Sequence, residues 1–280
     1  MNNSAVNFSS NGDSRTVSIG LVDCLEICVY LMNLLFSLPT HSYVMRLIVT
    51  GTGTGSGIVS EFFILNLSAC EIGICLNSLI FVLMMWFQSL SRFEQFLIGF
   101  SITGRPLFQC LMCVERYLAV IHPVTFLKYK PLRYRLICCT AAWIFCLSSC
   151  FLCMFTIDWQ YAVYVWFLTM QLLFFLFVKL FCLSVVLRTL KRSGPGERGR
   201  DKENHMKRRA FNLILITTVT TVLMFGPMTI TGFYYVVTDD YIDRPEVWLS
   251  GILCFMLTGF VQPVLYLQRT GQFSWFSCKI

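Results

Sequence analysis

Seven apolar stretches, each long enough to cross a bilayer, leave this 280-residue chain little choice of fold. A membrane-spanning helix needs about 20 apolar residues. Such stretches run from Val17 to Val49, Ile58 to Phe87, Phe93 to Ile121, Tyr134 to Ile157, Trp159 to Leu190, Ala210 to Val237 and Val247 to Leu267. In hydrocarbon no water reaches the backbone, so only helices or a closed barrel satisfy its polar groups. The period-2 alternation of barrel strands is absent, and the expected fold is an all-α, seven-transmembrane helix bundle. Composition agrees, with 56% hydrophobic and 13% charged residues and a mean hydropathy of +0.67, far from a water-soluble domain.

The basic residues give the orientation. Lys128, Lys130, Arg133 and Arg135 sit between or just inside spans three and four, and nine Lys and Arg lie from Arg188 to Arg209. The opposite loops hold only Arg92 and Arg244, beside the acids Asp158, Asp239, Asp240, Asp243 and Glu246. Lys and Arg collect on the cytoplasmic side, so the N-terminus is expected outside and the C-terminus inside. The N-x-S sequons at Asn2 and Asn7 then fall where glycosylation occurs, whereas the match at Asn66 lies within span two. Residues 1–16 read as an extracellular tail, 17–267 as one bundle domain and 268–280 as a cytoplasmic tail with a short amphipathic helix. No basic n-region and cleavage site precedes span one, which is expected to serve as its own signal.

The net charge of +7 gathers at the inner face, which points to anionic membrane lipids and a cytoplasmic partner, not to nucleic acid. The cysteines lie almost wholly within spans, as small buried hydrophobes do; Cys278, after the amphipathic FSWFS, is a candidate palmitoylation site. His41, His122 and His205 are scattered, with no carboxylate or cysteine at metal or triad spacing. Neither an enzyme, a metal site nor a cofactor is expected. The glycine run TGTGTGSG lacks the Lys-Ser/Thr of a phosphate loop and reads as a flexible turn. The charged, glycine-rich connection RSGPGERGRDKENHMKRR is expected to be a mobile loop. Pro39, Pro106, Pro227 and Pro263 interrupt helix hydrogen bonding and are candidate bends.

Five motifs stand in order along the spans: NLSACE (66–71), VERYLAVIHP at the inner end of span three, Trp143, FGP (225–227) and QPVLY (262–266). Together they resemble the signatures of rhodopsin-like (class A) G-protein-coupled receptors, and within that family the ERYLAVIHPVTFLKYK run looks most like the purinergic and proteinase-activated branch. The resemblance implies a plasma-membrane receptor whose partners are an extracellular ligand, unknown here, and a heterotrimeric G protein. It implies that Arg116 is held near Glu115 at rest, with Tyr117 completing the signature. Span six would swing about Pro227, beside Phe225, while Pro263 and Tyr266 of span seven help to hold the open state. The outer halves of spans three, five, six and seven offer Ile98, Ile102, Phe167, Met228, Ile252 and Met256 as candidate pocket residues. No span-three aspartate suits an amine and no span-seven lysine suits retinal. Asp23, Glu26, Arg92 and Glu94, near the outer surface, suit a polar or peptidic ligand.

The departures carry equal weight. Glu71 stands at the family's span-two aspartate, Arg105 at a common span-three serine, Gln262 at the span-seven asparagine and His41 at the span-one asparagine. Arg105 lies 11 residues before Arg116, about three helical turns deeper. An isolated charge there is costly, so Glu71 and Arg105 are expected to pair in the place of the family's sodium site, with His41 and Gln262 bonding around them. Ser91 replaces the cysteine of the usual outer disulfide, Phe175 and Leu183 replace the span-five proline and tyrosine, and Lys207, Arg208 and Arg209 replace an acid at the inner end of span six. Lys179, inside span five, is a further intramembrane charge to be accounted for. Two other readings stay open. One is a receptor-like protein that binds or forms homo- or heterodimers without signalling; the other is a small-solute transporter or channel, against which the odd span count and absent internal repeat weigh.

Overall fold

A computed structural model describes residues 21–51, 61–84, 86–122, 124–126, 132–156, 161–192, 201–238 and 245–270. Seven long helices carry the fold: α1 (Leu21–Val49), α2 (Phe62–Met84), α3 (Ser91–Ile121), α4 (Leu132–Thr156), α5 (Tyr161–Arg192), α6 (Asp201–Thr238) and α7 (Pro245–Arg269). Each is long and apolar enough to cross a membrane. No strand occurs among the described residues. The sequons at Asn2 and Asn7, Cys278 and residues 52–57 of the glycine run lie outside them.

The helices close into a ring around α3. Helix α1 packs on α2 and α7, α6 packs on α5 and α7, and α3 meets α2, α4 and α5. Burial follows that order: 72% of the most apolar window of α3 is buried, against 17% for α1, so α3 is the axis on which the others lean. Lipid-facing positions are mostly apolar, as Leu35, Phe155 and Phe177 show, and exposed hydroxyls such as Thr140 and Ser148 donate to their own helix, because hydrocarbon offers no other partner. Helices α1, α3, α6 and α7 each run through their proline. At the inner end of α1, Gly51 takes a φ of 67°, the left-handed conformation that ends helices and favours glycine.

One expected loop is partly helix. The connection after span five was expected to be mobile throughout, yet α5 continues to Arg192 and α6 begins at Asp201. The segment DKENHMKRR contains no glycine or proline and is rich in Lys, Glu, Met and Arg, good helix formers that extend span six inward.

Candidate functional site

At the centre of the bundle two charged side chains lie out of reach of solvent. Arg105 of α3 and Glu71 of α2 are 0% and 1% exposed. They meet as a fork: Arg105 Nε donates to Glu71 Oε1 at 2.6 Å and Nη2 donates to Oε2 at 2.7 Å. Arg105 Nη1 donates to the Phe255 carbonyl of α7, and the guanidinium carbon lies 4.6 Å from the centre of the Phe255 ring. Each nitrogen of the guanidinium thus donates to an acceptor, the condition for tolerating a buried ion pair. The site needs a bare backbone beside it, for a Cβ on Gly259 would lie 3.1 Å from both Arg105 Nη2 and Glu71 Oε2.

His41 and Gln262 join this cluster differently from what the sequence suggested. His41 Nε2 lies 3.0 Å from the Gly259 carbonyl and Nδ1 lies 3.4 Å from Ser68 Oγ. It braces the backbone beneath the pair and does not bond the pair itself. Gln262 is half-buried and makes no hydrogen bond to Glu71 or Arg105 among the described residues. The carboxylate and a carbonyl give every guanidinium nitrogen an acceptor without it.

A second layer lies one turn away. The Phe225 ring of α6 packs edge-to-face on Phe255, centroids 5.8 Å apart at 86°. Two motif residues meet nearby: Trp143 Nε1 donates to Asn66 Oδ1 at 2.9 Å, tying α4 to α2.

The inner end differs from expectation in its ion pair. Glu115, expected to restrain Arg116, has its salt bridge with Arg135 of α4, a residue 6% exposed whose guanidinium also stands 5.9 Å from the Phe63 ring. Adjacent residues on a helix point about 100° apart, so Glu115 reaches toward the neighbouring α4. Arg116 is half-buried and has no salt bridge among the described residues. Tyr117 packs against His122 and Phe181, at centroid distances of 5.8 and 6.2 Å. The Tyr266 hydroxyl donates to Glu61 Oε2 at 2.7 Å, both groups buried. Pro263 is buried and Pro227 half-buried. The side chains of Lys207, Arg208 and Arg209 lie outside the described ones.

The six candidate pocket residues fall in two packed clusters. Ile98, Ile102, Phe167 and Met228 gather with Phe225 and Phe255 between α3, α5, α6 and α7. Ile252 and Met256 belong to a different cluster with Tyr30, Leu67 and Phe108. Four residues apart on α7, they share the face turned to α1 and α2, while Phe255 faces α6. A cleft of about 390 Å³ does open between α1 and α7, lined by Leu25, Met32, Asn33, Leu253, Met256 and Phe260 among others. The described cysteines are all free thiols.

Reasoning from sequence missed Glu61, Gln109 and Ser68 as bonding partners and took Arg135 only as an orientation charge. The signal was available for the first two, since an acid or amide in an apolar span implies a partner. Which partner was not written there.

Comparison with known proteins adds an independent line. Residues 41–266 match the family described as 7 transmembrane receptor (rhodopsin family). Among curated proteins, the chain is 28% identical to human chemokine XC receptor 1 over 228 residues, covering 73% of this chain and 63% of that one. It is 25% identical to human C-C chemokine receptor type 8 over 258 residues, covering 81% and 67%. The mouse chemokine XC receptor 1 matches at 27%, covering 74% and 66%. The chain thus spans about two thirds of the length of these relatives. They are chemokine receptors, which corrects the purinergic and proteinase-activated likeness read from span three: that likeness rested on one motif, whereas these alignments run through most of the bundle.

Proposed function

The chain belongs to the rhodopsin-like family of seven-transmembrane receptors, and from that premise we propose that it passes an extracellular ligand signal to a heterotrimeric G protein by outward movement of α6. It does so as a multi-pass protein of the plasma membrane. A bundle with two packings carries a signal when the ligand outside and the protein inside both bind one packing better. The observation that carries this reading is Arg116: half-buried at the inner end of the central helix, with its neighbour Glu115 bridged to Arg135, it is a cation open to a partner entering between α3 and α6. A chemokine, the class after which the matched relatives are named, is the first ligand to test.

The test is basal G-protein activation by the wild type and Arg116→Ala at matched surface levels, across the main G-protein classes and with a chemokine panel added. A wild-type signal lost in the variant supports the reading; a signal equal in both refutes it. Ser91 in place of the outer cysteine favours a second reading, a receptor-like protein that binds or dimerises without coupling. Ligand binding at the surface with no activation of any G-protein class is its expected outcome.

A further inference from the structure

Lys179 of α5 is 1% exposed and has no carboxylate in salt-bridge reach among the described residues. Its ammonium donates to Gln109 Oε1 of α3 at 3.2 Å and stands 3.3 Å from the centre of the Phe225 ring. Phe225 in turn packs on Phe255, whose other neighbour is the Arg105 guanidinium. Two buried cations therefore bracket two rings that belong to two different helices.

We propose that Lys179 is a positioning residue for span six, its ammonium and the Arg105 guanidinium clamping the Phe225 and Phe255 rings so that α6 is held against α5 and α7 in the closed bundle. Both contacts use the negative face of a ring, and between buried groups such attraction is weakly screened. A leucine or methionine would fill the same space without a charge to desolvate, so a lysine here implies a role for the charge. Phe225 stands two residues before Pro227, and movement of α6 about that proline withdraws the ring from an ammonium fixed on α5. The cation then keeps Gln109 alone. The loss falls on the open state only, and the lysine biases the equilibrium toward the closed one.

This inference rests on the reading that α6 moves, and its test does not require signalling. Spin labels on p-acetylphenylalanine at Leu136 of α4 and Leu215 of α6, both exposed, report the separation of the helix inner ends in lipid nanodiscs while sparing the native cysteines. Lys179→Met is expected to add a longer distance, with roughly a thirtyfold rise in the open-to-closed ratio, the scale of one desolvated cation–ring contact. Lys179→Arg, which keeps the cation, is expected to retain the wild-type distribution. Phe225→Leu is expected to match Lys179→Met, and the double variant to go no further. An unchanged distribution in Lys179→Met, or an equal shift in Lys179→Arg, overturns the proposal; should Lys179→Met fail to fold, an unchanged Phe225→Leu does so as well. G-protein activation on the same samples separates the two readings. A longer distance without activation keeps the clamp and sinks the signalling reading, and activation with unchanged distances does the reverse.

Discussion

Glu71→Leu removes both acceptors of the Arg105 fork, at 2.6 and 2.7 Å, and leaves a fully buried guanidinium with the Phe255 carbonyl and ring. A hydrogen bond to a charged group contributes about 1.5–3 kcal/mol, so two give roughly 3–6 kcal/mol, in line with about 3–5 kcal/mol for breaking a buried pair. Arg105→Met strands the carboxylate instead and is expected to cost a similar amount. The double variant Glu71→Leu/Arg105→Met leaves no charge to desolvate and is expected to lie near the wild type or above it. Thermal unfolding of the four proteins in one detergent reads this as a double-mutant cycle. At about 2–4 °C per kcal/mol for a chain of this size, each single variant is expected to lower Tm by roughly 10 °C and the double by a few degrees at most. If the double loses the sum of the two single losses, the groups are not coupled and the reasoning fails.

Other outcomes follow from the same geometry. Exchanging sodium for choline is expected to leave the wild-type Tm unchanged, because a cation with no site on the folded protein shifts nothing; a sodium-dependent rise in Tm would contradict a site filled by Arg105. Gly259→Ala places a methyl 3.1 Å from both partners and is expected to lower stability by about 1–3 kcal/mol, the usual range for overpacking, read from the same unfolding curves. Tyr266→Phe removes the hydroxyl donor to Glu61, at about 1.5–3 kcal/mol for a bond to a carboxylate. In the Glu61→Gln background, where the acceptor is neutral, the same substitution is expected to cost less, and an equal cost would mean that the bond is not charge-assisted.

Much of this molecule was legible in one dimension. Spans one to seven could be marked because the residues exposed to hydrocarbon, such as Leu35 or Phe177, are mostly apolar and every backbone group must bond within its own helix. Glu71 and Arg105 could be paired because neither charge is tolerable alone at that depth. Length, polarity and the cost of an isolated charge belong to the residue and its neighbours along the chain. Which face of a helix meets which neighbour does not. Tertiary packing alone turned Glu115 toward Arg135, set Met256 with α1 and α2 while Phe255 met α6, gave Lys179 the Phe225 ring and the Gln109 amide oxygen, and left Gln262 without a place at the ion pair. A helix offers each side chain several neighbours of suitable chemistry, and the choice among them is a property of how seven cylinders close around α3.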